Sequence, residues 1–396
     1  MKKLVHNKSS KSKKTAVIGA LAAVSLALAA CGSDDDGASD SVATDPPAET
    51  DAPAETDAPA ETADTNAPAD TDAPAAAQSA PGACADEYDE ALVAGAETEG
   101  RVVFYTAAHT GDQAQALSDG FEERFGLDVE FLRNSSGDVI NQVQAELEAG
   151  DLQTDFIGVG SAAGLQSFLD DGMFADIEIP NADDFVSGIW APGDPIVPGH
   201  VAAYGVLYNS DRTENPPATW AELVELGGIG VPDPEISTGM VAFLYAMEQI
   251  MGEGFIGQLA DAVTLKTDAG TALPQLVMTG EIDFSTPTVP QFLAGLTAQG
   301  EPAAMVFPSE GTPAIPTALA VFEDAKHPQA AQLLIQYAVS CEFQQKMVDA
   351  GSISVLDYYP IPQVEGATEL TADQLFPVDE AEALANRDDL IAKFEG

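Results

Sequence analysis

From Arg101 onward the chain alternates short apolar runs with stretches whose apolar residues recur at helical spacing. Residues 102–105 (VVFY) read as a strand, followed by a small polar loop at 106–112. Ala114, Leu117, Phe121 and Phe125 then share one helix face, closed by Gly126 where a left-handed C-terminal residue is expected. The cycle repeats. Residues 128–132 read as a strand, 134–137 as a loop, and Val139, Val143 and Leu147 as a helix face stopped at Gly150. A third strand at 155–159 leads through Gly160 and Ser161 into a helix carrying Leu165, Phe168 and Leu169. Three strand-loop-helix units in succession predict an α/β fold with a mostly parallel sheet flanked by helices.

The second half is read more coarsely. An extended segment is expected at 201–208, and Thr219 with Glu222 opens a helix as a capping box. Ser237-Thr238-Gly239 precedes an apolar helix at 240–251, and 268–271 precedes a helix running to Gly280. Strands are expected at 281–284, 303–307 and 316–322, and one helix at 328–350 with Leu334, Ala338 and Cys341 on one side. Two α/β lobes joined by extended hinge strands near 200 and 316 account for this order. Residues 84–200 with 316–360 would form the first lobe and 201–315 the second, with 361–396 packing on either.

In open α/β sheets ligands bind beyond the carboxyl ends of the strands. Helix N-termini there offer unpaired N–H groups and a partial positive charge. The sequence places Thr106, Ser135, Ser136, Ser161, Ser237, Thr238 and Thr271 at such junctions. Each alone reads as an ordinary helix cap; converging on one cleft, they would form a basket for a small polar solute or an anion. Arg133 is either a bidentate contact for phosphate or carboxylate or a solvated surface residue. Tyr105, Tyr204 and Trp220 are either aromatic walls or core.

Charge narrows the class. The chain carries 65 acidic side chains against 15 Lys and Arg, a formal charge of −50. That balance excludes a direct nucleic-acid binder, and its spread along the chain fits a solubility role. Three cysteines are too few for a disulfide framework or a four-thiolate zinc site. No GxSxG, HExxH or CxxC motif is present, so neither an enzyme nor a cofactor is expected.

The N-terminal end is an address. Lys2, Lys3, Lys8, Lys11, Lys13 and Lys14 precede a 15-residue apolar run at 16–30, short for a membrane span of about 20 residues. The run ends in Leu28-Ala29-Ala30-Cys31, which resembles the lipobox of bacterial lipoproteins. That resemblance implies a signal peptide at 1–30, lipidation of Cys31 and anchoring outside the cytoplasmic membrane. Residues 31–83, with the hexamer PAETDA at Pro47 and Pro53 and 13 acids but no base, would be a solvated tether.

Taken in order, these blocks make the chain resemble the solute-binding proteins of bacterial ABC importers. It is most similar to the two-lobed group that binds ferric ion, phosphonates, sugar phosphates and polyamines. The resemblance rests on VVFYT at 102–106, SSG at 135–137, Thr154-Asp155-Phe156, Leu207-Tyr208-Asn209, Pro-Pro-x-Thr-Trp at 216–220, Asp233-Pro234, Ser237-Thr238-Gly239, Thr279-Gly280-Glu281 and HPQAA from His327. It implies a two-lobed, type II periplasmic-binding-protein fold. It further implies a monomer that captures a solute between the lobes and delivers it to a membrane permease.

The group's iron binders use a loop histidine, a loop carboxylate and two adjacent tyrosines. His109 stands where that histidine would fall, but no acid follows Gly160 and no tyrosine pair occurs at 284–291 (FSTPTVPQ). Ferric ion, a hard cation needing anionic oxygen donors, is therefore the runner-up ligand, with His109 its only matching residue. Tyr358-Tyr359 is expected to pack away from the cleft. The same scaffold would also suit a secreted enzyme or a sensor. Cys84 and Cys341 either form a bridge outside the cell or leave Cys341 as a buried thiol.

Overall fold

In a computed structural model that describes residues 84–268 and 270–396, the Asp89 carboxylate caps α1 (Glu90–Glu99) by accepting from the N–H groups of Ala91 and Leu92. The leader, Cys31 and the acidic tether lie outside the described residues. The strand-helix units then follow as β1 (Arg101–Thr106), α2 (Gly111–Phe125), β2 (Asp128–Arg133), α3 (Ser136–Ala149), β3 (Phe156–Val159), a 3-10 turn (Ala162–Leu165) and α4 (Gln166–Asp170). Gly126 and Gly150 end α2 and α3 with φ of 70° and 68°, the left-handed conformation a side chain would resist.

Next come β4 (Val197–Ala203), β5 (Gly205–Asn209), α5 (Trp220–Leu226), β6 (Ile229–Pro232), α6 (Thr238–Met251), α7 (Phe255–Ala262) and β7 (Val263–Thr267). They are followed by α8 (Leu273–Thr279), β8 (Phe284–Thr288), α9 (Pro290–Ala298), β9 (Ala303–Val306) and β10 (Thr312–Val321). The chain closes with α10 (Pro328–Ala338), α11 (Cys341–Asp349), β11 (Leu375–Pro377), α12 (Glu380–Ala385) and α13 (Arg387–Glu395).

Two open, mixed sheets result. The first runs β11-β10-β3-β1-β2 with β4 on β10, and the second β7-β6-β8-β5-β9. Parallel pairing of β1 with both β2 and β3 sets Phe104 beside Phe131 and Phe156, and helices cover both faces. Leu117, Phe121, Tyr337 and Phe343 fill one side of this sheet; Val143, Leu165, Phe168 and Phe322 fill the other. The second sheet is likewise covered twice, by Trp220, Phe243 and Leu259 and by Leu273, Val277 and Leu293. Burying both faces of each sheet is the main stabilising contribution, at about 1.5–3 kcal/mol per large side chain.

Several expectations are corrected. The stretch 201–208 is two strands, because the chain leaves the first sheet at Ala203 and enters the second at Gly205, with Tyr204 between them. The helix at 328–350 is two. Ser340 accepts from the Phe343 N–H, and the Asp86 carboxylate accepts from the N–H groups of Cys341 and Glu342, so a new N-terminus starts there. The strand expected at 281–284 begins only at Phe284, since Gly280 closes α8 and Glu281 turns back onto the Leu276 carbonyl. β6, β7 and α1 gave no clear signal.

The C-terminal segment engages both sheets. Ile361, Val364 and Leu370 pack on the second, β11 pairs with the start of β10 in the first, and α13 sinks Leu390 and Phe394 into the second core. Cys84 and Cys341 are joined in a disulfide with Cα atoms 5.8 Å apart, the first of the two readings. Among the described residues no helix is long and apolar enough to cross a membrane.

Candidate functional site

The first sheet directs α3 toward the second sheet, and the second directs α6 back. Ser135 caps α3 by accepting from the Asp138 N–H at 3.1 Å, and Ser237 caps α6 by accepting from the Met240 N–H at 3.2 Å. Both helices are 14 residues long, and their N-terminal ends border one cavity of about 170 Å³. Thr110, Arg133, Ser135, Ser136 and Gly160 line it from the first sheet, and Ser237, Gly239, Asp268, Thr271 and Gln291 from the second. His200 and Tyr204, on the crossing between the sheets, complete the wall. Gly239 leaves room for the Tyr204 hydroxyl, since a Cβ there would come within 2.8 Å of it and one of the two would have to shift.

Arg133 sets the electrostatics. Its Nε donates to the His109 carbonyl at 3.2 Å and its Nη1 to Thr271 Oγ1 at 3.4 Å. Among the described residues it has no carboxylate within ion-pair distance, and burial lowers its pKa. Among the described residues, Asp268 is the one acid lining the cavity. Guanidinium, two helix N-termini and several hydroxyls together suit an oxyanion or a polar organic group.

Four of the expected residues, Ser135, Ser136, Ser237 and Thr271, meet at this cavity. Thr271 is not a cap: it sits inside a 3-10 turn (Gly270–Ala272) and accepts from Arg133. The other four stand elsewhere. Thr106 is fully buried at the end of β1, its hydroxyl 3.1 Å from His109 Nδ1; the cap of the first junction is Thr110, in a capping box with Gln113. His109 is buried and does not line the cavity. Burial, then the Arg133 charge, lowers its pKa to about 4.

His200 is the imidazole at the wall. Its Nδ1 is 3.3 Å from Thr317 Oγ1, its ring centroid is 5.7 Å from that of His109, and burial lowers its pKa to about 3.

Ser161 donates to Glu380 of α12 at 2.5 Å rather than to open space. The Ala163 N–H reaches the same oxygen at 3.4 Å, and burial raises the Glu380 carboxyl pKa. Thr238 borders a neighbouring cavity of about 220 Å³ together with Ser161, Ile236 and Ala383. Its hydroxyl is buried and unpartnered among the described residues.

Trp220 and Tyr105 are core, Trp220 Nε1 donating to the Gly311 carbonyl and Tyr105 to Glu146, whereas Tyr204 does reach the wall. Tyr358 and Tyr359 pack on the first sheet's core, donating to Asp184 and to the Cys341 carbonyl. Among the described residues no group of three or more His, Cys, Asp or Glu is placed to hold a metal ion.

Sequence reasoning missed Thr110, His200, Gln291 and Glu380. Thr110 was legible as Thr-x-x-Gln ahead of an apolar face. His200 lies one residue before the extended segment that was recognised. Glu380 carried no signal.

A model of the bacterial extracellular solute-binding protein family matches residues 116–372, ending before α12 and α13. An uncharacterised protein of Haemophilus influenzae is 22% identical over 271 residues, covering 64% of this chain and 77% of that protein. Among solved structures, the periplasmic binding protein AfuA of Actinobacillus pleuropneumoniae, with fructose-6-phosphate bound, superposes with a TM-score of 0.65. It is 22% identical, over 74% of this chain and 97% of that one. The substrate-binding protein of an ABC transporter from Agrobacterium tumefaciens gives 0.65 at 19% identity, over 74% and 93%. The architecture is thus the two-lobed, type II periplasmic-binding-protein fold.

Proposed function

The chain belongs to the bacterial extracellular solute-binding proteins, and from that premise we propose that it captures a small anionic or polar organic solute between its two lobes and delivers it to an ABC permease. Arg133 carries the reading. In a chain of 65 acids and 15 bases, a half-buried guanidinium without a carboxylate partner among the described residues, facing two helix N-termini, awaits an anion. The α3 and α6 N–H groups and the hydroxyls of Ser136, Ser237 and Thr271 supply further donors from opposite sides, while the Ser135 hydroxyl donates to Asp138. A solute touching both sides binds the closed form better than the open one, which is what drives closure.

The family and its structural neighbours are binding proteins rather than enzymes, and the family is extracytoplasmic. Lipidation of Cys31, the tether and a monomeric state complete the proposal. A ferric-ion reading needs anionic oxygens, and the cavity offers one carboxylate, Asp268, beside a guanidinium. Tyr358 and Tyr359 spend their hydroxyls elsewhere.

Native mass spectrometry of full-length protein, extracted without denaturation, tests this. An acidic organic adduct in the parent chain that disappears in Arg133→Met is the expected result. Saturation with ferric ion, or an adduct retained by the variant, overturns it.

A further inference from the structure

Beyond β11, the C-terminal segment is rooted in the second lobe by its packing. Leu390 and Phe394 are buried in that core, Lys266 pairs with Glu395 at 2.6 Å, and Lys393 pairs with Glu248 at 2.7 Å. Arg387 donates to the Glu235 carbonyl at 3.0 Å, and Ala383 packs near α6. From this platform the Glu380 carboxylate reaches the first lobe. Glu380 accepts from Ser161 Oγ and from the Ala163 N–H, in the loop that leaves β3. The same two faces touch nearby, where a Cβ at Gly137 would fall 2.8 Å from the Ile236 carbonyl.

A carboxylate that joins two lobes must release its donors before they separate, and Glu380 does so away from the cavity that Arg133 and Thr271 span. We propose that residues 379–395 form a strap fixed to the second lobe, and that Glu380 is a positioning residue which latches Ser161 and holds the cleft closed before solute arrives. The latch does not touch the solute cavity; it sets how much of the protein is closed, and hence the apparent affinity for whatever binds. It rests on the lobe-closing reading of the cavity, not on the identity of the solute.

Hydrogen–deuterium exchange of solute-free, full-length protein tests it. In Glu380→Ala, amides of peptides 134–140, 160–166 and 234–240 should exchange about tenfold faster or more, while β1 stays protected. Glu380→Gln, which keeps an acceptor for Ser161, should remain near the parent. Ser161→Ala removes the latch from the other lobe and should accelerate the same peptides, with the double variant adding little. Faster exchange confined to 378–390 in Glu380→Ala overturns the strap. Should that variant lose protection everywhere, β1 included, Ser161→Ala decides, and unchanged cleft peptides there overturn it. A latch confirmed in a chain that binds no acidic solute would leave the strap standing and remove the transport proposal, so the two fail separately.

Discussion

Arg133 Nη1 lies 3.4 Å from Thr271 Oγ1, so a side chain at the end of β2 meets a hydroxyl presented just ahead of α8 on the other sheet. The pair spans the cavity. Its guanidinium is held by a carbonyl and a hydroxyl, weak neutral partners that an incoming carboxylate or phosphate can outcompete.

Arg133→Lys should therefore weaken binding of an acidic solute nearly as much as Arg133→Met. An ammonium keeps the charge but lacks the planar fork. A loss of about 2–3 kcal/mol, roughly 30- to 150-fold in Kd, is expected for the methionine variant. Thr271→Ala should cost less, and the melting temperature without solute should barely move in any of the three. Calorimetric titration with the solute found on the parent protein measures all of them.

Acid should destabilise the fold through two imidazoles. His109 and His200 are buried, with pKa values lowered to about 4 and about 3. Above pH 6.5 both rings are neutral, folded or unfolded, and stability is intact. As pH falls from about 6.5 toward 4, the unfolded chain takes up protons that the buried rings refuse, so stability falls with pH. At about 1.4 kcal/mol per unit, His109 alone contributes roughly 3 kcal/mol of that loss by pH 4. Urea unfolding at about pH 7 and pH 4.5 should show a smaller difference in His200→Asn than in the parent; an equal difference would contradict the assignment.

Asp155 is the buried clamp between β3 and α10. Its carboxylate accepts from the Val103 N–H at 2.9 Å and from the His327 N–H at 2.9 Å, and lies 2.8 Å from His327 Nδ1. Asp155→Ala should cost about 3–5 kcal/mol, since three donors lose their acceptor in a water-poor site. Asp155→Asn should cost less. Chemical denaturation of both variants reads the difference.

Removing the Cys84–Cys341 bridge frees a loop whose ends are 257 residues apart. Chain entropy sets a ceiling of about 5.5 kcal/mol for so long a loop, and about 2–4 kcal/mol is the expected loss in a Cys84→Ala/Cys341→Ala variant. The cavity lies on other elements, so solute affinity should be retained. A variant as stable as the parent would mean that α1 and α10 hold that corner unaided.

The three strand-helix units that follow α1 were legible because their helices carry a clean period and a glycine stop. Phe104, Leu117 and Phe121 announce one covered face, and Gly126 and Gly150 mark the turns. The second half blurs because α6 buries Met240, Val241, Phe243 and Leu244 in succession, which erases the amphipathic stripe, and β6 is only four residues long. At the site, caps such as Ser135 and Ser237 were readable, since capping is local chemistry. Glu380 was not: its partner Ser161 is 219 residues away, and nothing near either residue advertises the pairing.

The disulfide moors Cys84 to α11 beside the first sheet, while Phe394 is rooted in the second. Head and tail of the described chain thus ride on different jaws. On the proposed closure, each swing of the lobes would change the spacing between them, so a donor–acceptor dye pair placed near the two ends becomes a ruler for the swing, with nothing attached inside the mouth.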